Sequence, residues 1–200
     1  MESDNVNHDN FLSLKELIAS GDERAFRQLY NLFSEKLIQF AFALVKTKQA
    51  AIEIVDKVFI KIWLRRANFI EVENIKVYLY AATKNTALNF LAEKAHQQNI
   101  QPFDHLNIEL REEECPEKQM INSEIFRKIK RAIDELPPRC KIIFKLVRED
   151  GLKYKEVAEI LNISTNTIDA QMVIAVKKIS EKVKGQFDFL PRFASKKINL

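Results

Sequence analysis

Neither glycine nor proline occurs between Gly21 and Pro102. Glycine supplies the positive φ that tight hairpins use, and proline breaks helices by removing an amide donor. A stretch that long without either has nothing to stop helices and little with which to turn strands. The expectation is an all-α fold. With 46% hydrophobic and 30% charged residues, the chain of 200 residues can bury the core of one large or two small domains.

Apolar periodicity agrees. Residues 11 to 20 carry Phe11, Leu14, Leu17 and Ile18 at helical spacing and stop at Gly21. Asp22 is placed to cap a second helix in which Ala25, Phe26, Leu29, Tyr30, Phe33, Leu37, Phe40 and Leu44 recur. A third, "QAAIEIVDKVFIKIWLRRA", turns Ile52, Val55, Phe59, Ile62 and Trp63 inward; after a loop, "NFIEVENI", a fourth offers Leu79, Ala82, Ala87, Leu88 and Leu91. From Gln97 the period fails and Pro102 and Pro116 punctuate a polar tract. Shorter helices follow: "SEIFRKIKRAIDEL" up to Pro137-Pro138, "RCKIIFKLVRED" up to Gly151, and two more between 154 and 184. The organisation is a helical domain over 10–96, a linker over 97–122, a smaller helical domain over 123–185 and an unassigned tail over 186–200.

Charge is uneven along this order. Residues 1 to 96 carry 13 basic and 12 acidic side chains, 97 to 122 carry 2 and 6, and 123 to 200 carry 17 and 10. A basic C-terminal unit favours a polyanionic partner. Cys115 and Cys140 have no pairing or metal-ligand pattern, and the N-terminus lacks the basic start and apolar run of an export signal. A cytoplasmic protein is expected.

The C-terminal unit holds the most local signal. "YKEVAEIL" places Tyr154, Val157, Ala158 and Leu161 on one face, "NIS" turns the chain, and Ile168, Met172, Ala175 and Ile179 resume the apolar stripe. Two short helices joined in this way match a helix-turn-helix. Asn162 sits where positive φ is needed, and Ser164 is placed as an N-cap. The second helix would then present Thr165, Asn166, Thr167 and Gln171 to base edges; Asn and Gln can bond adenine bidentately, and Thr offers a hydroxyl and a methyl. The same spacing also suits a plain helical hairpin with a solvated face, and the stretch alone leaves both readings open.

Taken together, the two halves resemble the extracytoplasmic-function sigma factors, small two-domain specificity subunits of bacterial RNA polymerase. "DERAFRQLYNLFSEKLIQFAFAL" resembles the opening helix of sigma region 2, "AIEIVDKVFIKIW" its polymerase-binding helix, and "KVYLYAATKNTALNFL" its melting and −10 recognition helix. "AIDELPPRCKIIFKLVREDGLKYKEVAEILNISTNTIDAQMVIAVKKI" resembles region 4, which binds the −35 element. The resemblance implies that Glu53, Val55, Asp56, Phe59 and Trp63 lie in the helix that docks on the core enzyme, and that Phe69 and Asn85 capture an unpaired −10 base. It implies that Thr165, Asn166, Thr167, Gln171, Lys177, Lys178 and Lys182 meet −35 DNA. Glu112, Glu113, Glu114 and Glu117 would line the RNA channel. Core RNA polymerase, promoter DNA and a membrane-associated anti-sigma factor are the implied partners; no cofactor, metal or small-molecule substrate is implied.

Some positions depart from the family pattern. Ile52 and Lys57 stand where the docking helix commonly has acidic and Glu residues, and Asn166, Asp169, Gln171, Val173 and Ile174 stand where the recognition helix is often basic or polar. Lys153 replaces the usual Ser of a capping box, which leaves Glu156 without its expected partner. Weak −35 binding by the C-terminal unit alone is the expectation, since phosphate contacts supply most of the affinity. His8, His96 and His105 lie in polar stretches and no phosphate-binding loop or hydrolase motif occurs, so the chain is not expected to be an enzyme. A stand-alone helix-turn-helix regulator and a polymerase-binding helical protein without promoter selection are the alternatives.

Overall fold

Helix α2, Glu23–Val45, shows how the sequence builds the first unit of this computed structural model, which describes residues 12–97 and 124–183. Gly21 turns the chain at φ 94°, and Asp22 Oδ1 accepts from the amides of Arg24 at 2.7 Å and Ala25 at 2.9 Å. Those bonds satisfy donors that a helix start leaves orphaned. Ala25, Leu29, Phe33, Leu37, Phe40, Ala41 and Val45 are its buried face. The helix ends at Lys46, whose φ of 63° lets its amide donate back to Phe42 O at 2.8 Å.

Helix α1 covers 12–19, α3 Lys48–Leu64 and α4 Ile75–Gln97, with a 3-10 helix, Arg66–Glu71, between the last two. The sequence reading expected a loop there. Mutual packing of α2, α3 and α4 forms the first core. Register in α3 differs from expectation: Ile54 and Val58 join Val55, Phe59 and Ile62 inside, while Ile52 is half-buried. In α4, Tyr80 and Thr83 are buried and Leu88 is exposed, against the expected inward Leu88. Leu17 of α1 is likewise exposed.

The second unit comprises α5 Glu124–Asp134, α6 Pro138–Arg148, α7 Tyr154–Leu161 and α8 Thr165–Val183. Pro138 opens α6, where a missing amide costs nothing. Lys141 is 1% exposed and its ammonium meets Asp134 Oδ1 at 2.6 Å, an ion pair that ties α5 to α6. Leu136, Cys140 and Ala175 make a small second cluster under α8. No strand occurs among the described residues, and none of their helices is long and apolar enough to cross a membrane.

The two units are pressed together through α4 and α7, and the larger core cluster runs without a break from Leu79 and Tyr80 to Val157 and Ile160. Polar groups follow the seam. Glu156, expected to lack a partner, has two: Oε2 accepts from its own cap amide, Lys153 N, at 2.7 Å, and Oε1 accepts from Asn74 Nδ2 across the seam at 2.7 Å. Asp150 lies 3.9 Å from Lys36 of α2 and faces the buried Tyr80 of α4. Burial raises the Asp150 carboxyl above its ordinary value; the Tyr80 hydroxyl and the Lys36, Lys145 and Lys76 ammoniums only partly offset this.

A raised carboxyl contributes stability that is present below its unfolded pKa and is lost as pH rises through the folded value. The seam is therefore expected to weaken as pH climbs from about 4 through that raised value. Asp150→Asn keeps the shape without the buried charge, and Lys36 is too exposed for its loss as a partner to matter much. Melting curves across pH should show a flatter profile and a higher melting temperature at neutral pH for that variant. A lower neutral-pH melting temperature would mean that the charge partners outweigh burial.

The linker, including Glu112, Glu113, Glu114, Glu117 and Cys115, lies outside the described residues, as do Phe11 and the tail 186–200.

Candidate nucleic-acid interface

Helix α7 ends at Asn162, whose φ of 55° and ψ of 52° are left-handed, and its amide bonds back to Glu159 O at 3.2 Å. Ile163 follows, its amide closing on Ala158 O at 3.0 Å. Ser164 Oγ then accepts from the Thr167 amide at 3.1 Å, the N-cap expected from the sequence. The turn is thus the one that helix-turn-helix geometry requires. Ile168, Met172 and Ala175 bury the inner face of α8.

Thr165 and Asn166 are exposed at the start of α8, and Thr167 and Gln171 are half-buried. The Thr167 hydroxyl lies 2.8 Å from Ser164 Oγ, so it is already engaged in the cap. Cys140 Sγ donates to the Gln171 carbonyl at 3.2 Å, and burial pushes that thiol up, which keeps it a protonated donor. The bond pins α8 against α6 at the level of Gln171. Lys177 and Lys178 are exposed farther along; Lys182 is paired with Glu135 of the turn after α5. Between Gln171 and Lys177, Val173, Ile174 and Val176 are exposed, at 61%, 39% and 49%. The outer face of α8 is apolar through its middle and basic only toward its end.

Two further surfaces lie on the first unit. On α3, Val55 and Phe59 are buried, Phe59 against the rings of Phe26 at 6.0 Å and Tyr30 at 4.8 Å. Trp63 is half-buried, 4.9 Å from Phe26 and 5.0 Å beneath the Arg66 guanidinium. Asp56 is half-buried and accepts from Tyr30 Oη at 3.3 Å; burial first, and then the Asp56 charge and this bond, raise the tyrosine above its ordinary value. Glu53 is exposed, and so are Lys57, Ile60, Lys61 and Leu64 on the same face. Ile60 and Leu64 were missed by the sequence reading. Their signal was an apolar pair four residues apart on the side of α3 opposite its inward stripe.

The third surface joins the 3-10 helix to α4. Phe69 is 3% exposed, its ring edge-on to Tyr78 at 6.0 Å. Asn68 and Ile70 on either side of it are exposed, and so is Asn85. Tyr78 is 41% exposed and stands two turns before Asn85, on the same side of the helix. An aromatic ring and an amide thus share one solvent-facing side of α4, linked to the 3-10 helix through Phe69, and Tyr78 joins the residues that sequence reasoning missed.

Comparison with known proteins agrees with this arrangement. The family profile described as Sigma-70, region 4 matches residues 126–179, which hold the helix-turn-helix. ECF RNA polymerase sigma-E factor of Haemophilus influenzae is 26% identical over 179 residues, covering 86% of this chain and 94% of that protein. That of Escherichia coli K12 is 26% identical over 178 residues, covering 86% and 93%. Among solved structures, the sigma factor RpoE in complex with the anti-sigma factor NepR from Bartonella quintana superposes with a TM-score of 0.58 at 19% identity, over 80% of this chain and 98% of that one. CnrH in complex with the cytosolic domain of CnrY does so with 0.53 at 16% identity, over 88% and 97%. Likeness at this level of identity supports the helical fold, and the sigma-E relatives span both units in the same order. Along most of its length the chain is thus similar to the extracytoplasmic-function sigma factors, and its match to Sigma-70 region 4 falls on the second unit.

Proposed function

We propose that this protein binds core RNA polymerase and directs it to promoters, holding the −10 element in melted form through its first unit and the −35 element through its second. The observation that carries the reading is the combination of a capped helix-turn-helix, with Asn162 left-handed and Ser164 on the Thr167 amide, and a separate helical unit whose exposed strips are unlike each other. Residues 10–96 serve as region 2, 97–122 as an acidic tether and 123–185 as region 4; the role of 186–200 is left open.

In this reading the outer face of α3 docks on the polymerase. Glu53, Ile60 and Leu64 make the contact, while Val55, Phe59 and Trp63 hold the helix in place. The strip of Asn68, Tyr78 and Asn85, braced by Phe69 from below, holds a base taken from the duplex. Unstacking costs a few kcal/mol, and an aromatic surface with a short amide can offset it. The polymerase performs the chemistry, so the chain needs neither cofactor nor catalytic residue. The protein works in the cytoplasm. NepR and CnrY occupy the two structural relatives, and an anti-sigma factor is a fitting partner here as well.

At −35, Asn166 and Gln171 read base edges, and Thr165, Lys177 and Lys178 position the helix on the backbone. With so few free cations on α8, much of the −35 affinity comes from tethering to polymerase, which raises the effective concentration of the second unit at its site. Asn166→Ala and Gln171→Ala are each expected to reduce discrimination at −35 by about 1 to 3 kcal/mol per lost bidentate contact, measured by competition between promoter variants. Equal weakening on every sequence would make them positioning contacts.

Run-off transcription with purified core polymerase tests the whole reading. Promoter-specific transcripts support it. Tight duplex binding by the chain alone would favour a stand-alone regulator. Core binding without initiation would favour a polymerase-holding protein, the outcome that the apolar middle of α8 makes worth distinguishing.

A further inference from the structure

Lys15 of α1 is 8% exposed, one of three buried polar side chains among the described residues. Thr83 bonds within its own helix, and Lys141 faces a carboxylate. Lys15 instead sends its ammonium to main-chain carbonyls far along the chain, Val72 O at 2.8 Å and Ile70 O at 3.3 Å. Burying an ammonium is expensive unless the acceptors are well placed. These acceptors are well placed. Val72 caps the C-terminal end of the 3-10 helix, where carbonyls lack helical partners and the helix dipole is negative.

The other end of that short helix also meets the N-terminal segment. Gly21, at φ 94°, lies beside Arg66, whose Nε would stand 3.6 Å from a Cβ at that position. Arg66 in turn donates to Trp63 O at 3.1 Å and covers the Trp63 ring. The α1 segment therefore spans the 3-10 helix from its first residue to its cap. Phe69 sits between these two fastenings.

We infer that Lys15 is a positioning residue for base capture: by fixing the carbonyls of Ile70 and Val72, its ammonium sets the path of the loop that frames Tyr78 and Asn85. The inference rests on the proposed role of that strip at −10. It assigns to α1 a part in promoter selection without any contact to DNA.

The test uses the full chain with Lys15→Met, which keeps the stem and removes the ammonium, and Lys15→Arg, which keeps a cationic donor. In Lys15→Met, amide hydrogen exchange over residues 66–73 should rise about tenfold, as expected for loss of a bond to a charged donor, while α2 and α3 stay protected. Core affinity should hold. Discrimination between a matched promoter and one mismatched at −10 should fall about tenfold as well, and Lys15→Arg should recover most of it. Asp22→Ala, which weakens the α2 cap, supplies a destabilised control with an intact ammonium and should leave −10 preference unchanged.

If Asp22→Ala lowers −10 preference as much as Lys15→Met does, or if exchange rises over the whole first unit, Lys15 is a general strut and the inference fails. Asn85→Ala run in parallel separates the two levels. A change in −10 preference for Asn85→Ala but not Lys15→Met removes the inference and leaves the base-capture reading standing. No change in either removes both.

Discussion

Replacing Ile60 and Leu64 together by glutamate is expected to lower affinity for core RNA polymerase by roughly a hundredfold or more while leaving the fold intact. Both side chains stand out from α3, at 57% and 72% exposure, so charging them leaves the buried packing in place. Covering a leucine-sized side chain at an interface is worth about 1.5 to 3 kcal/mol, and a carboxylate in its place must also be desolvated or excluded. Phe59→Ala provides the opposite case. Its ring is 2% exposed and packs on Phe26 and Tyr30, so its loss should cost about 3 to 5 kcal/mol of stability, a large share of what a domain possesses. The part that stays folded should still bind core. Urea melts and fluorescence titration with core separate the two effects. A glutamate pair that unfolds the chain, or a Phe59→Ala variant that stays folded and loses core, would show that the docking face has been read the wrong way round.

That contrast also marks what the sequence discloses. Features set by a few neighbouring residues were legible: the Asp22 cap, the left-handed Asn162, the Ser164 cap and the four-residue rhythm of α2 all depend on local sterics and hydrogen bonding. The inward face of α3 was legible only in part, because that helix is apolar on more than one side and periodicity cannot say which side meets α2. Tertiary packing chose Ile54 and Val58 over Ile52. In α4 the arc is wider still, since neighbours on both sides, α2 and α3 on one and α7 on the other, bury Tyr80 and Thr83 and leave Leu88 in solvent. The partners of Glu156 and Lys15 were out of reach altogether: Asn74 is 82 residues from the first and Val72 is 57 from the second. Position in the family motif points to α3 as an element but cannot tell its exposed residues, such as Glu53, from its buried ones, such as Val55 and Phe59.

Asn85→Ala is expected to leave core binding unchanged and to reduce open-complex formation at a matched promoter about a hundredfold. Asn85 is exposed, two turns beyond Tyr78, so truncating it should not disturb the packing of α4 on α7. Its amide offers both a donor and an acceptor to the edge of an unpaired base. Taking a base out of the stack costs a few kcal/mol, and without the amide that cost is offset only by ring contact. Loss of a specific hydrogen-bonded pair typically leaves the base partner unsatisfied as well, which is why the effect should exceed that of one average hydrogen bond. Tyr78→Ala should weaken the same step on every sequence, because stacking is tolerant of base identity, whereas Asn85→Ala should act chiefly through the preferred base. Permanganate reactivity of the −10 region reads both. Undiminished reactivity in Asn85→Ala, with core binding intact, would place base capture elsewhere on the first unit.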